Sequence, residues 1–317
     1  MDKDSGKPIV VVAGPTGSGK SALALMLAER FRGAIVNADS QQVYRELRVL
    51  TQRPTAEEES RVPHYLYGVL PVSERCSAGR WPGLAHRALA EIRADGRLPI
   101  VVGGTGLYLK ALIEGIAEIP PPAPEAVAEA RATRAKIGNA AFRAELARLD
   151  PEGAARIPEA DSQRLVRAFA VVRSTGIALS EWHRRAQGRA PVRLGRFLVL
   201  ALDPPRESLD RVLDDRFDAM MNRGALAEAR AMAELALDPT LPAVKAVGVR
   251  ELLQHLGGET TRAEAVVRAK RATRQFAKRQ RTWLRTQIEV SRVFPAFGPE
   301  VFGEAADMVA KFLSEGE

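Results

Sequence analysis

Uninterrupted apolar runs alternate along the chain with stretches whose apolar residues recur every three or four positions. Pro8-Ile-Val-Val-Val-Ala13, Ala34-Ile-Val-Asn37, Leu98-Pro-Ile-Val-Val-Gly103 and Arg196-Phe-Leu-Val-Leu-Ala-Leu202 are short and rich in aliphatic residues. Each stops at glycine or beside a polar residue, the pattern of strands buried on both faces. Ser21–Phe31 instead has a helical period, so the beginning of the chain reads strand, loop, helix. Such strands separated by helical segments predict an α/β fold, a parallel sheet covered by helices on both faces.

Between the third and fourth runs the character changes. Ile119-Pro-Pro-Pro-Ala-Pro124 is a hinge, and the Ala- and Arg-rich segment after it carries no strand signal before about Arg196. Residues 120–195 are therefore expected to form an all-helical insertion between two parts of the core, 1–119 and 196–317. Within the insertion, a helix over Asp161–Ser174 would bury Leu165, Ala168, Phe169 and Val172, with Gly176 as its stop. After Asp203 the pattern is mostly helical. Over Thr261–Val290, Ala265, Ala269, Ala272, Phe276, Trp283 and Ile288 approximate one apolar face, and Lys270, Arg274, Lys278, Arg281 and Arg285 occupy much of the rest.

Composition narrows the class. With 317 residues, 46% of them apolar and 27% charged, the chain can bury a core of about two domains. No run approaches 18 uncharged apolar residues, and MDKDSGK leads straight into a strand-like run, so neither a membrane span nor a signal peptide is expected. The only cysteine, Cys76, allows no internal disulfide or thiolate cluster and fits a packing role in a reducing, cytoplasmic setting. The net charge of +8 raises the prospect of a polyanionic partner. Nine basic residues and one acid lie between Arg262 and Arg285, and thirteen basic residues and six acids between Arg131 and Arg193. Solvated Arg-rich helices would give the same counts.

Three segments carry chemistry. Gly14-Pro-Thr-Gly-Ser-Gly-Lys20-Ser21 matches the phosphate-binding loop in full and sits between a predicted strand and a predicted helix. Its glycines let backbone N–H groups approach an anion, the helix N-terminus adds a favourable dipole, Lys20 supplies a point charge and the Ser21 hydroxyl can hold Mg²⁺. The fold expected is thus P-loop NTPase-like. The loop suits a nucleotide's terminal phosphates or any other diphosphate. Asp39, in Asn37-Ala-Asp-Ser-Gln-Gln-Val-Tyr44, falls at the C-terminal edge of the second strand, where α/β proteins bind ligands. It could be a base, a magnesium ligand or a helix N-cap. Val102-Gly-Gly-Thr-Gly-Leu-Tyr108 reaches the same rim, where glycines permit close backbone approach and the Thr105 hydroxyl could donate to an anion. His64, His86, His183 and His255 lack metal-like spacing, and Ser18 and Ser40 suggest no nucleophilic triad.

GPTGSGKS, NADSQQVY, RVPHYLY, PIVVGGTGLYLKAL, DSQRLVRA followed by RSTG, and TRQFAKRQRTWLR occur in this order from about residue 8 to about 290. In this the chain resembles the tRNA dimethylallyltransferase family. It departs at Leu50-Thr-Gln-Arg-Pro54, where the family usually has a Gly-Thr-Ala-Lys-Pro-like run, and at Val249, where an aromatic residue is usual.

The resemblance implies transfer of a dimethylallyl group from its diphosphate to N6 of the adenosine on the 3′ side of the tRNA anticodon. Gly14, Pro15, Thr16, Gly17, Ser18, Gly19, Lys20, Ser21 and Arg216 would bind the diphosphate, with Mg²⁺ held through Ser21. Thr16 and Thr105 would contact the leaving group, and Asp39 would take the proton from N6. Asp39, Ser40, Gln41 and Gln42, and Gln163, Arg164, Leu165, Val166 and Arg167 in the helical insertion, would meet the RNA, and the later basic helix would track its phosphates. A cytoplasmic monomer is expected. A P-loop small-molecule kinase would explain Lys20, Ser21 and Asp39 but not the later motifs. A non-catalytic RNA-binding module would explain the charge but not the phosphate loop.

Overall fold

A computed structural model describes residues 6–187 and 194–315. β1 (Pro8–Ala13) leads to α1 (Lys20–Arg30), β2 (Gly33–Asn37), α2 (Ala56–Arg61), β3 (His64–Tyr65), α3 (Trp81–Ala94), β4 (Leu98–Gly103) and α4 (Gly106–Ile113). Four helices follow, α5 (Pro124–Leu149), α6 (Pro151–Arg156), α7 (Ser162–Thr175) and α8 (Leu179–Gln187). The remainder comprises β5 (Arg196–Leu202), α9 (Arg206–Asn222), α10 (Ala225–Glu234), α11 (Val249–Leu256), α12 (Arg262–Gln287), β6 (Arg292–Phe294) and α13 (Phe302–Ser314). The chain divides into one unit of Met1–Glu114 with Arg193–Glu317 and a second of Gly115–Val192. The sequence pattern put its divisions at 119/120 and 195/196.

In the first unit the strands form a six-stranded parallel sheet in the order β3-β2-β4-β1-β5-β6. The two short edge strands were not legible as strands, because two or three residues are too few to show a period. Alternation along β1 assigns its side chains to two cores. Ile9 and Val11 join Trp81 and Leu89 of α3 and Tyr108 of α4, whereas Val10 and Val12 join Leu23 and Leu27 of α1 and Val309 of α13. Both faces are therefore covered, which is why the strands read as continuous apolar runs. β1 lies between β4 and β5, so the loops leaving the C-terminal ends of β1, β2 and β4 share one rim. Cys76 packs in the first of these cores.

α12 is shorter than the pattern suggested and is capped by Thr261, whose hydroxyl accepts from the Glu264 N–H at 3.2 Å. Its buried stripe also differs: Ala265, Ala269, Thr273, Ala277, Gln280 and Leu284 face inward, while Ala272, Phe276 and Trp283 lie on the border. Small residues let this helix pack closely against α9, α11 and α4, and the two polar ones have bonding to do there. The Thr273 hydroxyl donates to the Ala269 carbonyl at 2.8 Å.

The second unit, among its described residues, is all helical. Its core gathers Ala130, Phe142, Leu146, Leu165, Ala168 and Phe169, and the Phe142 and Phe169 rings lie 5.0 Å apart. Gly176, in the left-handed conformation at φ 69°, ends α7 as its position implied. Val172, expected in the buried stripe, is only partly covered, and Ala170 and Val171 are buried instead. Asp150 is wholly buried and accepts from the Gly153 N–H at 2.8 Å, the Ser180 N–H at 3.1 Å and the Ser180 hydroxyl at 2.5 Å. This pins the start of α6 to α8.

Candidate active site

The loop after β1 turns sharply because Gly17 and Gly19 take φ near 80°. Gly17 is also where Leu213 of α9 presses in; a Cβ there would come within 2.7 Å of the Leu213 side chain. Gly19 abuts Gly298, whose N–H donates to the Ser18 carbonyl at 3.0 Å, so the segment before α13 buttresses the loop from behind. Lys20 opens α1, is 9% exposed, and donates from Nζ to the Pro15 carbonyl at 3.3 Å. Burial holds its pKa down at about 8; Asp39 raises it and Arg216 lowers it further. The Ser18 hydroxyl is buried without a hydrogen-bond partner, whereas Ser21 is exposed on the first turn of α1.

Asp39 follows β2 and is 8% exposed. It caps no helix. Its Oδ1 accepts from the Gln41 N–H at 2.9 Å, and its own N–H donates to Asn37 Oδ1 at 2.8 Å. Asn37, fully buried, also donates from Nδ2 to the Asp39 and Leu66 carbonyls at 3.0 Å each, and its carbonyl accepts from Trp81 Nε1 at 3.1 Å. The carboxylate is thus aimed by a braced turn. Thr105, expected to donate to an anion, is committed to the same turn: its Oγ1 accepts from the Ser40 N–H at 2.9 Å and donates to Ser40 Oγ at 3.2 Å.

The glycines after β4 serve a different purpose from the one their pattern suggested. A Cβ at Gly104 would overlap the Gln280 carboxamide, and one at Gly106 would overlap the Trp283 ring. They admit α12. Through this gap Gln280, 5% exposed, accepts from the Thr16 N–H at 2.8 Å, while its Nε2 is buried without a partner.

A cleft opens beside these elements. Thr16, Asp39, Gln41, Thr51, Gln52, Arg216 and Thr273 supply a polar side, and Leu50, Leu213, Phe217, Met220, Val247 and Phe276 an apolar one. Arg216 Nη2 donates to Gln52 Oε1. Burial lowers its pKa, as does Arg223, while Asp39 raises it. Gln42 is turned inward: Nε2 donates to the Thr51 and Gln52 carbonyls at 2.9 Å each. Glu228 of α10 accepts from three successive backbone N–H groups, those of Arg48, Val49 and Leu50, at 2.8, 2.7 and 2.8 Å. Thr16 of the glycine-rich loop, the Asp39 carboxylate and an apolar wall thus meet in one cavity, which suits a charged leaving group attached to a hydrocarbon. Gln52, Gln280 and the apolar wall escaped the sequence reading. Only Gln280 had a usable signal, as a polar residue four positions from Phe276 and three from Ala277 on the helix's inner side.

The basic residues of α12 are partly spent. Lys270 pairs with Asp218 at 2.7 Å, Arg274 with Asp214 at 2.5 Å, and Arg281 and Arg285 both with Asp203 at 2.5 Å. In the helical unit, Gln163 and Arg167 are exposed four positions apart on α7. Arg164 is exposed and pairs with Asp161 at 3.3 Å. Leu165 is wholly buried and Val166 half-buried, so these two belong to the unit's packing.

The family model described as IPP transferase matches residues 42–287, and one described as Isopentenyl transferase matches residues 7–67. The tRNA dimethylallyltransferase of Rhodospirillum rubrum is 53% identical over 286 residues, which cover 90% of this chain and 87% of that one. The crystal structure of the full-length tRNA isopentenylpyrophosphate transferase from Bacillus halodurans is similar with a TM-score of 0.71 at 31% identity, over 98% of this chain and 97% of that one. A eukaryotic dimethylallyltransferase caught in crystallographic snapshots acting on tRNA is similar with a TM-score of 0.73 at 29% identity, over 88% of this chain and 70% of that one.

Proposed function

The chain belongs to the IPP transferase family, and on that footing we propose that it transfers a dimethylallyl group from dimethylallyl diphosphate to tRNA. The acceptor is N6 of the adenosine on the 3′ side of the anticodon. The kinase alternative falls, because relatives over nine-tenths of the chain are tRNA dimethylallyltransferases. The observation that carries the reading is the single cleft lined by Thr16, Asp39 and Arg216 on one side and by Leu213, Phe217 and Phe276 on the other.

The diphosphate lies in the loop of Gly14–Ser21, where backbone N–H groups and Lys20 face the charge that builds as the allylic C–O bond breaks. The leaving diphosphate departs with the electron pair, and the allyl carbon bonds to N6. The lone pair on that amine is delocalised into the purine ring, so attack requires help. Asp39 takes the N6 proton as the C–N bond forms; Asn37 holds its backbone and the Gln41 N–H its carboxylate for this. Thr105 acts through Ser40 by fixing the same turn. The dimethylallyl group rests on the apolar wall.

Mg²⁺ belongs with this diphosphate. The Ser21 hydroxyl, exposed on the first turn of α1, would hold the ion together with the substrate's own oxygens. Hard oxygen donors supplied largely by a substrate are its usual setting. It supplies charge neutralisation at the departing diphosphate.

The adenine leaves its stack to reach Asp39, at a cost of a few kcal/mol. Gln163, Arg164 and Arg167 contact the RNA from the helical unit, and the exposed part of α12 contacts its phosphates. No helix among the described residues is long and apolar enough to cross a membrane. On this reading the protein acts in the cytoplasm, where tRNA is at hand, and as a monomer. Incubation with unmodified tRNA, dimethylallyl diphosphate and Mg²⁺, followed by mass analysis of the nucleosides, tests the reading. An adenosine heavier by one dimethylallyl group is expected; consumption of ATP without prenyl transfer would overturn it.

A further inference from the structure

Arg216 is the cation on the cleft wall, and the partner it has there is uncharged. Among the described residues it forms no ion pair; its Nη2 donates instead to Gln52 Oε1. An amide oxygen can fix one edge of a guanidinium while leaving its whole positive charge, and its remaining N–H groups, for an anion. A carboxylate in the same place would neutralise that charge.

The loop that presents Gln52 is held far more firmly than an exposed turn requires. Its backbone donors are taken by Glu228, which binds the N–H groups of Arg48, Val49 and Leu50 at 2.7–2.8 Å. Its acceptors are taken by Gln42, which binds the carbonyls of Thr51 and Gln52 at 2.9 Å. The Gln52 N–H donates to the Val49 carbonyl at 3.1 Å, which closes the turn. Gln52 itself sits in the left-handed region at φ 51°, a conformation that glycine or asparagine would adopt more readily. With the backbone secured from two sides, the side chain is delivered to the cleft, where it lines the same cavity as Thr16, Asp39 and Arg216. A residue kept at an unfavourable φ, in a loop braced by two other side chains, needs a reason, and the bond to Arg216 is the one on view.

We propose that Gln52 is a positioning residue for the donor's diphosphate, acting through Arg216 by aiming its guanidinium without neutralising it. This rests on the reading that Arg216 binds the diphosphate, and the test separates the two.

Gln52→Met keeps the bulk and the backbone preference but removes the acceptor, and Gln52→Glu keeps an acceptor but adds a charge. Inhibition by inorganic pyrophosphate, the donor KM and tRNA affinity by filter binding are measured for each, alone and with Arg216→Ala. Gln52→Met is expected to raise the pyrophosphate Ki and donor KM about five- to tenfold, the effect of losing one ordinary hydrogen bond. Gln52→Glu is expected to raise both by more, and tRNA affinity is expected to stay within about twofold in both variants, because only the donor's diphosphate site is touched. In the Arg216→Ala background Gln52→Met is expected to add less than about twofold, since a residue acting through another has nothing left to act on. If Gln52→Met weakens pyrophosphate as much with Arg216 gone as with it present, or leaves Ki unchanged while Arg216→Ala raises it, the positioning role is overturned. If Arg216→Ala itself leaves Ki unchanged, the assignment of Arg216 to the diphosphate fails first.

Discussion

Gln280 accepts a hydrogen bond from the backbone N–H of Thr16 at 2.8 Å, joining the middle of α12 to the phosphate-binding loop. Gln280 is 5% exposed and Thr16 half-buried. Gln280→Leu, close in volume, should deprive the half-buried Thr16 N–H of its acceptor and cost about 1 kcal/mol of stability. Urea unfolding reads this as a lower midpoint at unchanged m. Gln280→Glu retains an acceptor and should lose less. Equal midpoints for Gln280→Leu and the parent would mean that the bond contributes nothing.

Under the proposed function, Lys20 should make activity depend on pH. Its pKa, held down to about 8 from 10.5 chiefly by burial, means that the free enzyme loses the ammonium's charge as the pH rises through about 8. The diphosphate needs that charge, so kcat/KM for the donor should fall above pH 8, by up to about tenfold per pH unit. Stability should move the other way. Between about pH 8 and 10.5 the unfolded chain binds more protons at this residue than the folded one, so the Lys20 contribution to stability rises across that window. Lys20→Arg, which stays charged, should abolish the descending limb. A limb unchanged in Lys20→Arg would assign it to another group.

Asp39→Asn tests proton acceptance separately from shape. The amide oxygen can still receive the Gln41 N–H that Asp39 Oδ1 receives at 2.9 Å, so the turn should survive. Turnover should drop by about 10²–10⁴. Filter binding should show tRNA affinity nearly unchanged. Undiminished kcat would remove Asp39 as the base.

The central strands and the phosphate loop were legible because they rest on local signals: a run of aliphatic residues for a strand buried on both faces, and a glycine pattern for the turn. Asp39 was legible because the end of a parallel strand is a defined place in such a sheet. What was not legible depends on residues distant in sequence. The inner face of α12 was misjudged because a helical period cannot tell that Gln280 has an acceptor's task 264 positions away at Thr16. The cleft's apolar wall draws Leu50, Leu213, Val247 and Phe276 from four separate segments. The basic residues of α12 read as a surface charge, and only the fold brings Asp203, Asp214 and Asp218 against them. The glycines after β4 fell between these cases. Their need for close approach was readable, but the partner was not, and it turned out to be a helix.

That partner supplies a test with an unusual sign. Gly106 is the first residue of α4, where alanine is intrinsically the better helix former by up to about 1 kcal/mol. Propensity alone would therefore have Gly106→Ala stabilise the protein. A Cβ at this position, however, would overlap the Trp283 ring, and the ring belongs to a long helix that cannot withdraw without carrying Gln280 away from Thr16. Overpacking of this kind typically costs about 1–3 kcal/mol, so the net effect should be a loss of stability. Gly106→Ala should accordingly lower the urea midpoint. The double variant Gly106→Ala, Trp283→Leu should recover part of the loss relative to Trp283→Leu alone, because the smaller side chain leaves room for the methyl group. The donor KM should rise in Gly106→Ala along with the instability, since α12 holds the loop that takes the diphosphate. A stabilised Gly106→Ala with unchanged donor KM would show that α12 does not rest on β4's rim through these glycines.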